Sequence, residues 1–328
     1  MLAIIFLSAV LYACGTHSAK PEPDSQKKEK PTVSVPTFNE DSAYCYIQRQ
    51  IDFGYRIPNT EAHAKTAQYL ESELKRHGAN VIIQDAPVKA YNGTLLNGKN
   101  IIASFDPDKK ERILLFAHWD SRPYADEDPN SANHRKPIDG ANDGGSGVGV
   151  LLEIARQINI AKPRIGIDIV LFDAEDYGRP SFLKTPESDN SETWALGSQY
   201  WAKHPHKPGY KAKYGILLDM VGGKNATFAK ELFSLRFAPS IVNKIWDTAK
   251  RIGYGQYFIN TKGGGITDDH LFVNAAGIPS VDIIDFQPDS DGNGFYEHWH
   301  TVNDTMENID RNTLKAVGQT VMTVIYNE

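Results

Sequence analysis

Apolar residues recur along this chain with two different periods, and the alternation between them outlines a fold. From Thr60 to His77 the spacing is helical. Tyr69, Leu70 and Leu74 supply the apolar positions, Asn59 or Thr60 can cap the start, and Gly78 ends it. Arg112 to Ala117 is a short apolar run suited to a strand covered on both faces. Val148 to Ile158 returns to helical spacing, and Ile165 to Phe172 forms a second apolar run. Tyr214 to Leu218 and Pro279 to Ile284 read as further strands. Asp310 caps a last helix to Tyr326, with Leu314, Val317, Val321 and Val324 or Ile325 facing inward. Strands that alternate with helices predict a three-layer α/β/α sandwich around a mostly parallel, twisted sheet.

Before this patterned region the chain has a different character. Met1 to Ala13 is apolar but far shorter than the roughly 20 residues of a membrane-spanning helix. It closes on Leu11-Tyr12-Ala13-Cys14-Gly15, which resembles a bacterial lipoprotein signal, in which the cysteine carries lipid and becomes the first mature residue. Thr16 to Pro36 is dense in Pro, Lys, Glu and Ser, a composition suited to a solvated tether. The expected organisation is a signal segment over 1–13, a polar tether over 14–38 and one folded α/β domain over 39–328. That pattern implies an exported protein, periplasmic or held to a bacterial membrane through Cys14 alone.

Composition narrows the chemistry. With 41% hydrophobic and 23% charged residues the chain has the make-up of a globular protein, and a net charge of −6 offers no basic face for nucleic acid. Cys14 and Cys45 are the only cysteines, so with Cys14 lipidated no intramolecular disulfide forms. Two cysteines also cannot build a sulfur-ligated zinc site, and any metal here is held by His and carboxylate.

The polar residues that matter cluster just past the strand ends. His118-Trp119-Asp120 follows the first predicted strand, and Asp173, Glu175 and Asp176 follow the second. Asp219 follows the third, and His298-Trp299-His300 lies beyond the fourth. Ligands of open α/β sheets bind at such ends. Taken singly, each has an ordinary explanation. His118-Trp119-Asp120 could be a hydrogen-bonded loop, Glu175-Asp176 a solvated one, and Gly140 to Gly147 a tight turn into a helix. Together they supply nitrogen and oxygen ligands that suit zinc.

The motifs His118-x-Asp120, Gly140-Ala141-Asn142-Asp143-Gly144-Gly145-Ser146-Gly147, Phe172-Asp173-Ala174-Glu175-Asp176, Leu218-Asp219-Met220-Val221-Gly222 and the late His300 resemble the M28 superfamily of zinc peptidases. The likeness runs from about Ile51 onward. Within that superfamily, Arg56-Ile57-Pro58, His118 to Arg122, Asp268-Asp269-His270, and Trp299-His300-Thr301 with Glu307 to Asp310 following are similar to glutaminyl-peptide cyclotransferases. Those enzymes turn an N-terminal glutamine into pyroglutamate with loss of ammonia. The superfamily's paired glutamates stand here as Glu175-Asp176, so the metal-binding carboxylate is one methylene shorter.

The resemblance implies one zinc per chain, held by Asp143, Asp176 and His300. It implies Glu175 as proton shuttle, Asp219 and Asp269 as an acid pair that orients the amide, and Trp299 as the surface on which the glutaminyl side chain packs. Trp194 is a second candidate wall. The partners it implies are peptides or proteins that begin with glutamine. A two-zinc aminopeptidase on the same fold is the alternative. It would use His118 and Asp219 for a second metal, bridged by Asp143, with Glu175 activating water. A catalytically dead binding protein would be expected to lack one of these acids, and none is missing.

Overall fold

The computed structural model describes residues 34–183, 191–286 and 294–328. The signal segment and the tether as far as residue 33 lie outside the described residues. The chain runs α1 (Glu40–Ile51), α2 (Glu61–Arg76), β1 (Asn80–Lys89), β2 (Leu95–Phe105), β3 (Arg112–His118), α3 (Gly145–Ile160), β4 (Gly166–Phe172), α4 (Leu196–Lys203) and β5 (Gly215–Asp219). It continues through β6 (Phe228–Lys230), α5 (Leu232–Phe237), α6 (Pro239–Arg251), β7 (Phe258–Lys262), α7 (Asp269–Ala275), β8 (Ser280–Ile284) and α8 (Arg311–Tyr326).

Six strands make the main sheet in the order β1-β2-β4-β3-β5-β8. The last four run parallel, with His118 opposite Phe172 and Asp219 opposite Ile284. Their C-terminal ends therefore share one edge. Successive residues alternate between two cores, as a pleated strand requires. Ile113, Leu115 and Ala117 of β3 face a core shared with α1, α2, α3, α6 and α8. Leu114 and Phe116 face the opposite core, where Trp201 of α4 and Val273 of α7 pack. The predicted three layers are present.

The predicted elements appear with ends shifted by a few residues. Thr60 caps α2 by accepting from His63 N, and Asp310 caps α8 by accepting from Asn312 N. The β1–β2 hairpin carries no strong pattern in the sequence. Of β1's residues only Ala86 is buried, because this strand lies at the sheet edge and shows little of itself to either core. The folded part also begins before residue 39. Phe38 is fully buried, packs against Gly318 of α8 and donates its N–H to Gln319 Oε1 at 2.9 Å. Pro36 to Phe38, assigned to the tether by composition, thus dock on the last helix. Among the described residues no helix is long and apolar enough to cross a membrane.

Candidate active site and metal centre

The site is assembled where the parallel strands end. His118 is the last residue of β3 and Asp219 the last of β5, and Glu175 and Asp176 follow β4 within four residues. Asp143 precedes α3, whose start presses closely on the strand ends. A Cβ on Gly147 would lie 2.1 Å from Leu218 O, and one on Gly144 (φ +80°) would lie 2.7 Å from Asp120 O. The glycine-rich segment is thus both a tight turn and the device that sets Asp143 against the sheet. Ala174, Met220 and His300 adopt positive φ of 54°, 48° and 52°. Left-handed backbone at three non-glycine residues, each beside or within the site, is strain held in place by the surrounding packing.

Two overlapping clusters of potential ligands share Asp143. One is Asp143, Asp176 and His300, the other His118, Asp143 and Asp219, and within each the ligand atoms lie within 4.8 Å of one another. His300 Nε2 is 3.1 Å from Asp176 Oδ1 and 3.5 Å from Asp143 Oδ2. His118 Nε2 is 3.0 Å from Asp143 Oδ1 and 3.2 Å from Asp219 Oδ1. The surroundings hold these groups firmly. Both oxygens of Asp120 accept from the backbone of the β4 loop, Glu175 N at 3.0 Å and Asp176 N at 3.1 Å. Asp304 does the same for the other loop, accepting from Asn142 N at 2.8 Å and Asp143 N at 3.0 Å. Fully buried Arg56 donates to Trp119 O, Asp139 O and Gly140 O, and so ties the loops after β3 and before α3.

The residues fit zinc. Asp143 Oδ2 and Asp176 Oδ2 are buried with no hydrogen-bond partner, and His300 Nε2 lies 3.5 Å from the first of them. Buried oxygens left in this state normally cost stability, and a cation satisfies them. Asp143, Asp176 and His300 give three nitrogen and oxygen ligands beside a pocket, the donor set of a catalytic zinc site.

The pocket holds about 400 Å³. Its apolar wall includes Trp194, Trp299, Phe295, Phe286, Ile284 and Ile266, and its floor is Glu175, Asp219 and Asp268 with the ligand triad. Trp299 stacks on the His300 ring at 3.7 Å and on Phe295 at 4.2 Å. Trp194 lies parallel to the His300 ring at 5.8 Å and takes the Arg122 guanidinium at 4.6 Å. The structure thus brings Asp143, Glu175, Asp176, Trp194, Asp219, Trp299 and His300 into one cavity.

Asp269 is the exception. It is the first residue of α7, fully buried beside Ser198, and does not line the pocket. Its neighbour Asp268, the helix N-cap, turns into the cavity instead. A cap residue has extended backbone and the next residue is helical, so their side chains diverge, a choice that Asp268-Asp269 in sequence does not reveal. Sequence reasoning also missed Asp282 of β8, which forms a third buried cluster with Asp268 and His270.

Burial pushes the Glu175 carboxyl well above the usual range, with His118 opposing the rise and Asp268 and Asp176 adding to it. Burial, with the charge of Asp219, raises Asp268 to about 7. Burial also raises Asp219. Asp143 goes the other way, because His118 and His300 outweigh its burial and hold it below the ordinary value.

The sequence profile described as Peptidase family M28 matches residues 100–325, most of the described fold and every residue of the site. The chain belongs to peptidase family M28. Among solved M28-like structures, the glutaminyl cyclase of Tannerella forsythia is 61% identical, with a TM-score of 0.86 over 89% of this chain and 100% of that one. A Zn-dependent exopeptidase from Parabacteroides distasonis is 60% identical, with a TM-score of 0.86 over 90% of this chain and all of that one. A glutaminyl-peptide cyclotransferase of Gloydius blomhoffii is 23% identical over 288 residues, covering 79% of this chain and 73% of its own.

Proposed function

We propose that this chain cyclises the N-terminal glutamine of peptides and proteins to pyroglutamate with release of ammonia. The observation that carries the reading is the pocket floor. Three buried carboxyls, Glu175, Asp219 and Asp268, adjoin the zinc ligands beneath an aromatic wall. Hydrolysis needs one base to activate water. Cyclisation must move a proton from the attacking amine to the departing nitrogen and also hold the amide. Likeness to the Tannerella glutaminyl cyclase supports the same assignment.

Asp143, Asp176 and His300 would hold one zinc per chain, which when bound supplies Lewis acidity toward the side-chain carbonyl oxygen. The peptide's α-nitrogen attacks its own side-chain amide carbon, so a ring C–N bond forms and the bond to the terminal nitrogen breaks. Glu175 accepts the proton that the amine gives up and returns it to the leaving nitrogen, which departs as ammonia. Because burial raises this carboxyl, it holds a transferred proton more readily than a solvated glutamate does. Asp268, in place of Asp269, pairs with Asp219 to accept from the amide and the leaving group. Trp299 and Trp194 flank the flat glutaminyl side chain, shed its water and hold both ends of one residue within reach. A second metal held by His118, Asp143 and Asp219, which also lie together, would be the mark of the aminopeptidase reading instead.

Delivery is part of the proposal. Cys14 carries a lipid anchor and the polar segment after it acts as a tether, so that the enzyme is exported and held at a bacterial membrane. The apolar run before Cys14 and the composition after it support this. Incubating the protein with one peptide that begins in glutamine and one that begins in leucine tests the reaction. Ammonia without hydrolysis is expected from the first, and release of leucine from the second would replace this reading with the aminopeptidase one.

A further inference from the structure

Two buried residues outside the pocket touch three of its working parts. Arg122 is 0% exposed and Asp126 3%, and neither lines the cavity. The Asp126 carboxylate accepts from Arg122 Nε at 2.6 Å and Nη2 at 2.8 Å, a two-pronged pair with fixed geometry. The same carboxylate accepts from Ser181 N at 2.6 Å, and Ser181 Oγ donates back to Asp126 O at 2.8 Å. Its Oδ1 lies 3.5 Å from His300 Nδ1, on the far side of the ring from Asp143 and Asp176. Arg122 Nη1 donates to the Asp176 carbonyl at 3.0 Å, and the guanidinium sits 4.6 Å from the centre of the Trp194 ring.

We propose that Asp126 is a positioning residue for the metal centre, one that holds His300 from behind and clamps Arg122 beneath Asp176 and Trp194. The inference rests on the reading that His300 is a zinc ligand. A histidine that binds metal through one nitrogen needs the other in the hand of an acceptor, which fixes the tautomer, orients the ring and raises ligand basicity. Asp126 is the carboxylate placed at Nδ1. Trp299 and Trp194 both lie nearly parallel to the ring and restrict its tilt. Asp126 then restricts rotation about the ring's own axis, the motion those flat contacts leave open. Through Arg122 the same carboxylate steadies the backbone of a second ligand, Asp176, and the wall that receives substrate. One ion pair thereby couples metal geometry to the shape of the pocket.

The test is zinc affinity by chelator competition, with the visible spectrum of the cobalt-substituted protein as a second readout. Apoprotein melting serves as the control for folding. Asp126→Asn keeps the shape but removes the charge. It is expected to bind zinc about 10- to 100-fold more weakly, the usual loss when such a partner of a ligand is altered, and to shift the cobalt spectrum. A purely structural role lowers apoprotein melting but leaves the affinity and spectrum of the folded variant as in wild type, and that result overturns the proposal. If Asp126→Asn does not fold, Asp126→Glu keeps the pair with Arg122 while moving the oxygen from His300. It should show a smaller loss of zinc affinity, and wild-type affinity in this variant overturns the proposal equally. His300→Ala separates the two levels of inference. If it binds zinc as tightly as wild type, the ligand assignment fails and the role given to Asp126 falls with it, whereas loss of zinc here with wild-type affinity in Asp126→Asn overturns the role of Asp126 alone.

Discussion

Arg112 and Asp168, near the starts of β3 and β4, form a buried ion pair in which every donor is used. Arg112 gives two bonds to Asp168 at 2.6 and 2.7 Å, and its remaining donors reach four backbone carbonyls. Tyr210 completes the carboxylate at 2.7 Å. Glu328 nearby is paired with Lys213, Lys244 and Tyr214. At the opposite ends of the same strands the buried charge is mostly acidic and partly unpaired. Asp143, Asp176 and Asp268 each keep at least one oxygen without a hydrogen-bond partner among the described residues. Both ends bury carboxylates in one sheet, but only one end satisfies them. The satisfied end behaves as structure, whereas the unsatisfied end is a standing demand for a cation and for protons, and such a demand marks a site.

The largest expected effect falls at the unsatisfied end and on rate. Glu175→Gln is expected to keep the fold and the zinc but to lower ammonia release about 10²- to 10⁴-fold, the usual worth of a general acid–base group. Near-normal turnover with zinc bound would assign the shuttle elsewhere. The reverse is expected at the satisfied end. Asp168→Ala leaves the Arg112 guanidinium buried without its counter-charge and should cost about 3–5 kcal/mol of stability in denaturant unfolding. Turnover per folded molecule should change little, and a large fall in it would blur the division between the two ends.

Removing zinc is expected to be milder. A ligand that binds only the native state adds about 2.7 kcal/mol at a hundred times its Kd. Stripping wild type with a chelator should therefore lower its melting temperature, and in Asp143→Ala the chelator should do almost nothing. Equal shifts in both proteins would place the stabilising metal away from these ligands.

The smallest effect is a pH dependence at the satisfied end. Burial alone would raise the Glu328 carboxyl, but Lys244, Lys213 and Tyr214 outweigh it and hold it at about 2, below the ordinary 4.5. A depressed carboxyl means that the unfolded chain binds more protons between those values. Its contribution is full above about pH 4.5 and fades as pH falls toward 2. The stability gap between wild type and Glu328→Gln should thus narrow over that window. A gap that stays constant from pH 6 to pH 2.5 would show that the ion pairs are not its source.

The contrast between the two ends also shows what could be read in advance. The parallel strands were legible because each is a short apolar run covered on both faces, and α2 and α8 because their caps and apolar spacing agree. The β1–β2 hairpin was not, since an edge strand with one buried residue has no strong period. The choice between Asp268 and Asp269 depended on which of two adjacent acids caps α7. Arg122 and Asp126 lie in a loop where no helical spacing pairs them, and nothing local says that His300, 174 positions later, would come to rest behind Asp126.

The sequence by itself determined the layered α/β fold, the chemistry of a nitrogen and oxygen metal site, and the residues Asp143, Glu175, Asp176 and His300 at its centre. The fold follows from local periods, and the site residues from the resemblance of the motifs at the strand ends to the M28 zinc peptidases. Only the tertiary structure decided which buried acids face the cavity, which stay unpaired, and which second residues hold the first in place. Those outcomes depend on distances between segments far apart in the chain, and on whether the fold brings a counter-charge to each carboxylate it takes out of water.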